Sequence, residues 1–198
     1  MIAALIESAK LILGFLPWFL FLFLPTDSWD RLRGAVVICL AASVLFSWKM
    51  LRKGFILQWA TVAFFLFCAL SLYGFRWVWL ADHMGIIANG FLDGIIWFTV
   101  LTGKPFTLQY ARAELPQEQW NDEGLIHSCR FIAIFWGMLL LVPIASEAFR
   151  LFYPHALPGR FSLFLSLSCI AIGSGYTMFY KHLKRRQREA MEKLSIAP

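Results

Sequence analysis

The sequence predicts an all-α fold: a polytopic membrane helix bundle of about six transmembrane helices, forming a single transmembrane domain over 1–198. Three observations predict it. Apolar residues make up 60% of the 198 residues, against about 45–50% in an ordinary soluble domain. Charged residues are only 15% and aromatics reach 17%. The apolar residues also run continuously over stretches long enough to cross a bilayer, about 20 residues, rather than alternating as in a spanning barrel. A soluble domain of this size cannot keep so much Phe, Leu and Trp out of water, whereas a bilayer is itself an apolar solvent.

Six stretches qualify as spans: 2–24, 34–50, 55–75, 83–102, 129–149 and 161–180. Pro17 in the first and Pro143 in the fifth each remove a backbone donor, so both are expected to kink their helices. The head of the chain carries Glu7 and a single cation, Lys10, with no small-residue cleavage site before Pro25, so a cleaved signal peptide is not expected. Trp18, Trp29, Trp48, Trp77, Trp79 and Trp120 fall near span ends, where aromatic rings anchor at headgroup level.

Six spans bring both termini to one side. With the termini inside, 13 of the 18 Lys and Arg residues lie on inner loops and ends. The positive-inside rule then places both termini in the cytoplasm. The basic tail over 181–198, with Lys181, Lys184, Arg185, Arg186 and Arg188, continues the sixth span and faces anionic lipid, each cation contributing on the order of 1 kcal/mol. The net charge of +6 reflects this membrane orientation and not nucleic-acid binding.

Gly14-Phe15-Leu16-Pro17 in span one is echoed by Gly90-Phe91-Leu92-Asp93 in span four, each followed by two more spans. Halves 1–80 and 81–180 would then form a 3+3 inverted repeat of the kind that builds transporters around a midplane site. A chain with 20 Phe and 13 Gly also repeats such a tripeptide by chance.

The sharpest functional signal is in span four. Asp93 falls at its centre, and Asn89 one turn away shares its face, in one arc with Asp82, Gly85 and Trp97. Gly90 and Gly94 form a G-x-x-x-G pair on the flank that, with Gly85, suits close helix packing. A carboxylate at the bilayer centre costs about 2.5–3.5 kcal/mol on insertion scales, and no cation lies mid-span elsewhere. Asp93 therefore carries a proton, binds a cation or solute together with Asn89, or meets a group across a subunit contact. A structural carboxyl bonded to hydroxyls or to Asn89 is the alternative. Glu147 and Arg150, at i, i+3, read as a paired interface anchor.

The loop Lys104-Pro105-Phe106, continuing through Tyr110 to Arg112, reads as an interfacial helix lying flat, with Phe106, Tyr110 and Ala111 toward the membrane. The string over 102–112 resembles a G-[KR]-P-[FL]-x-L loop in small bacterial six-span inner-membrane proteins loosely grouped with intracellular septation protein A. That resemblance implies a bacterial inner membrane and carries no functional residue with it.

Four cysteines without C-x-x-C spacing point to no metal or redox site, and no nucleophile–base motif occurs. The expectation is a protein that is not an enzyme and needs no cofactor. It is read as a small transporter or conduit for a proton, cation or small solute through Asp93 and Asn89. The competing reading is a scaffold or assembly factor that binds a second copy or a partner membrane protein.

Overall fold

A computed structural model describes residues 14–153, 156 and 161–196, with side chains to residue 183 except that of Glu114. Among these residues there is no strand. The helices are α1 (Leu16–Phe23), α2 (Trp29–Arg52), α3 (Ile56–Tyr73), α4 (Val78–Asp82), α5 (Met84–Leu101), α6 (Phe106–Glu114), α7 (Glu123–Phe152) and α8 (Phe161–Ile196), with a short 3-10 turn at Gln117–Gln119. Five of them, α2, α3, α5, α7 and α8, are long and apolar enough to cross a membrane. The fold is an all-α bundle, and the chain is a membrane protein. Most of the expected first span, 2–13, lies outside the described residues.

The outward surface fits that solvent. Leu45 is 74% exposed, Phe98 56% and Phe164 65%, a coat of apolar side chains that only lipid tails solvate without cost.

Element ends follow local chemistry. α7 begins six residues before the expected span because Asp122 caps it, its side chain accepting from Gly124 N at 2.9 Å. α2 also starts early, at Trp29, with Asp30 in its first turn. Arg31 in that first turn donates to both oxygens of Asp27, just before the helix, at 2.8 and 3.1 Å, and these bonds hold the Asp27 carboxyl below its ordinary range. Gly103, at φ +72° after the last turn of α5, takes the left-handed conformation that lets the chain reverse into α6.

Pro17 stands in the first turn of α1, where a helix needs no backbone donor, and the part of the expected first span that precedes Gly14 lies outside the described residues. Pro143 does lie inside the 30-residue α7. There it deprives the Leu139 carbonyl of its usual i+4 donor.

Specific contacts fix the register. Consecutive long helices run antiparallel: Arg33 of α2 lies over the Tyr73 ring of α3 at 3.9 Å, while at the other end Trp59 donates to Leu51 O. α1 runs parallel to α3, with Trp18 Nε1 donating to Thr61 Oγ1 at 3.0 Å and Phe21 packing on Phe65. We call the end holding Tyr73, Gly85 and Glu147 the upper end, and the end holding Arg52 and α6 the lower.

Between helices in lipid the hydrophobic effect gives little, so close packing and internal hydrogen bonds hold the bundle. Trp136 of α7 shows both. Its ring fills the space over Gly173 of α8, its Nε1 donates to Thr177 Oγ1 at 3.1 Å, and it stacks on Phe15 of α1 at 5.5 Å. The Thr177 hydroxyl donates in turn to Gly173 O, the same arrangement by which Thr61 serves Trp18. A Cβ on Gly173 would come within 2.9 Å of the Trp136 ring.

Gly173→Ala should therefore lower the melting temperature of the detergent-solubilised protein, by an overpacking cost of about 1–3 kcal/mol. Gly175→Ala, at a glycine with nothing within 4 Å, should leave it unchanged or raise it through helix propensity.

Candidate functional site

α5 lies in the middle of the bundle, packed most extensively on α7 and also against α3, where Phe91 stacks on Phe64 at 4.7 Å. Its apolar turns dictate a helix, and its polar residues at four-residue intervals put Gly85, Asn89, Asp93 and Trp97 along one side. Two of these contact α7. Gly85 admits the Glu147 carboxylate, whose Oε2 would stand 3.1 Å from a Cβ there, and Trp97 lies against Gly137. Asn89 and Asp93 occupy the two turns between.

Asp93 is 5% exposed. Trp97 stands one turn below it on the same side of α5, and Oδ1 is buried with no hydrogen-bond partner among the described residues. No ion pair to it exists among the described residues, whose pairs join Arg31 with Asp27, Arg33 with Asp30, and Arg150 with Glu147. Asn89 does not bond Asp93. Its Nδ2 donates to Gly85 O at 2.9 Å, within its own helix.

The glycines divide. Gly85 meets α7, but Gly90 and Gly94 are exposed with nothing within 4 Å, so no described helix uses the G-x-x-x-G flank. Glu147 and Arg150 pair as their spacing suggests, at 3.7 Å, and Arg150 Nη1 also reaches Ser162 Oγ of α8 at 3.4 Å. All four cysteines are buried free thiols. Lys181 is partly buried at the lower end, and the side chains of Lys184, Arg185, Arg186 and Arg188 lie outside the described residues, on backbone that continues α8.

The loop helix is where the structure corrects the flat interfacial reading. Phe106 is fully buried, and Thr107, Leu108 and Tyr110 are buried with it. α6 is bonded into the bundle on two sides. Thr107 Oγ1 donates to Cys129 O of α7 at 2.6 Å, and Gln109 Oε1 accepts from Ile56 N, satisfying an orphan donor at the start of α3. Gln58 Nε2 donates to the Tyr110 hydroxyl at 2.7 Å, leaving Gln58 Oε1 buried without a partner. Burial pushes the Tyr110 hydroxyl well above its ordinary range, so the phenol keeps its proton. A Cβ on Gly14 would fall on that hydroxyl.

Phe55, Phe106 and Tyr110 meet edge to face, and Phe15 joins them to Trp136. This aromatic layer closes the lower end of the bundle. Pro105 is buried at the turn into α6, Lys104 is exposed, and Arg112 donates to Trp120 O at 3.1 Å. A helix with one apolar face reads alike whether that face meets lipid or protein. Here the polar groups Thr107 and Gln109 find partners in the bundle, and Gln58, a lone amide in an apolar span that bonds Tyr110, is the sequence signal that this helix docks on protein.

Comparison with known protein families, with curated proteins and with solved structures finds no match.

Tyr110→Phe leaves Gln58 without its hydroxyl partner and should destabilise the protein by about 1–3 kcal/mol. The double variant Gln58→Leu with Tyr110→Phe removes both partners and should recover much of that loss, read as melting temperatures of the two proteins in the same detergent.

Proposed function

We propose that this chain is a multi-pass protein of the bacterial inner membrane that binds and hands on a proton through Asp93, as a small transporter or conduit. One observation carries the reading: a carboxyl 5% exposed, at the middle of an apolar helix, with one oxygen unpartnered and no cation beside it among the described residues. Intramembrane carboxyl groups of this kind mark proton and ion pathways.

The donor set favours a proton over a metal ion or a larger solute. A proton needs a single lone pair, and Asp93 Oδ1 offers one. Hard cations gather six or more oxygens, whereas the Asn89 amide already serves Gly85 O and Trp97 offers only a donor. With both termini cytoplasmic, as the Lys and Arg distribution directs, the upper end faces outward and α6 faces the cytoplasm. The basic tail then meets anionic lipid headgroups. The role is read as non-enzymatic.

A second reading rests on a different observation. Gly90 and Gly94 present a bare strip of α5 with nothing within 4 Å, which another transmembrane helix can approach closely. On that reading the chain is an assembly factor, and Gly90→Ile with Gly94→Ile would release a co-purifying membrane partner.

Purified protein in proteoliposomes loaded with a pH-sensitive dye decides for the first. Asp93→Asn is expected to cut proton flux at least tenfold while the variant elutes and melts like the parent. Equal flux in parent and variant would overturn the reading.

A further inference from the structure

The seam between α5 and α7 is pinned at both ends. At the upper end, the missing side chain of Gly85 lets the Glu147 carboxylate lie against the α5 backbone, 3.1 Å from where a Cβ would stand. Below Asp93, the Trp97 ring lies over Gly137, so close that a Cβ there would meet it at 2.8 Å. Everything polar on this face of α5 falls between those contacts. At 1.5 Å of rise per residue, Gly85 stands about 12 Å above Asp93 and Asn89 about midway.

We propose that Glu147 is the outer proton-accepting station for Asp93, with Gly85 as the residue that lets its carboxylate into the seam. The proposal rests on the reading of Asp93 as a proton-binding group and adds to it a second carboxylate, a direction of access and a reason for the glycine.

The surroundings of Glu147 suit that role. Its side chain is 19% exposed toward the upper end of the bundle, whereas Asp93 is enclosed. The charged group facing it on its own helix is Arg150, at 3.7 Å, longer than the roughly 2.7–2.9 Å of a charge-assisted hydrogen bond. Arg150 therefore balances the carboxylate without locking it, and its Nη1 is shared with Ser162 Oγ of α8. α5 presents no side chain at Gly85. The nearest titratable groups at its head are Asp82 and His83, and the His83 ring is engaged with Trp79, its Nδ1 2.9 Å from Trp79 O. The Arg150 Nε is buried without a partner, a further sign that the pair is not closed on itself as a purely structural bridge would be.

The transfer balances as follows. A hydronium ion in the outer water gives its proton to a lone pair on Glu147 Oε2, leaving water and a neutral carboxyl group. The relay to Asp93 Oδ1 needs water to enter the seam beside Asn89, and once the proton has passed, Glu147 returns to the carboxylate that Arg150 balances. Trp97 on Gly137 closes the seam below, so the proton on Asp93 has no open path downward until α5 and α7 shift.

The test uses the full chain in vesicles of phosphatidylethanolamine and phosphatidylglycerol, with an internal pH dye and imposed gradients. Glu147→Gln is expected to slow proton flux tenfold or more. Glu147→Asp, which keeps the charge beside Arg150, is expected to conduct with a displaced midpoint in the dependence of flux on outer pH, a readout that loss of a structural ion pair would not move. Gly85→Leu, which expels the carboxylate from the seam, should match Glu147→Gln. Parental flux in Glu147→Gln, or an unmoved midpoint in Glu147→Asp, overturns the role of Glu147 while Asp93→Asn still reports on the first reading. A parent protein no faster than empty vesicles overturns both.

Discussion

The structure depends on one constraint: helices in hydrocarbon gain little from hiding apolar surface, so they must touch closely or bond internally. Gly173 receives Trp136, Gly137 receives Trp97 and Gly85 receives the Glu147 carboxylate. These three places join α5, α7 and α8. At each, a residue without a side chain on one helix lets a large or charged side chain from its neighbour reach the backbone. The rest of the core follows, because Trp136 seated in this way also stacks on Phe15 and so ties α1 to the far side of the bundle.

Polar atoms inside the bundle follow a second rule, that each must find its partner within the protein. The two indoles, Trp18 and Trp136, donate to threonine hydroxyls that in turn donate a hydrogen bond to a carbonyl one turn back. Asn89 likewise uses a carbonyl of its own helix. Against this background the unpartnered oxygen of Asp93 is an exception, as are Gln58 Oε1 beside Tyr110, Ser146 Oγ, and the Nε atoms of Arg33 and Arg150. Of these, Asp93 is the carboxyl group in mid-span. Exceptions in so well-bonded an interior point to function more strongly than the presence of polar residues does.

The lower end shows how a short helix becomes part of the core. α6 has only nine residues and could not hold its shape alone. Thr107 binds it to a backbone carbonyl of α7, and Gln109 binds it to α3 through a backbone N–H that would otherwise lack a partner, while Phe106 and Tyr110 fill the aromatic layer above. Closure below, together with a partly exposed carboxylate above, makes the seam of α5 and α7 unequal at its two ends.

The sequence by itself determined the class, the positions of the long helices and the one costly residue among them. Length, continuous apolarity and a stranded Asp93 are properties of a single segment against its solvent, and need no neighbour to be read. The tertiary structure alone decided what each face meets. A glycine pair such as Gly90 and Gly94 and a glycine seat such as Gly173 look the same along the chain, and an apolar face such as that of α6 suits lipid and protein equally. Which of them is filled depends on the register between helices distant in sequence, and that register is set by the volumes of Trp97, Trp136 and Glu147 meeting the spaces opposite.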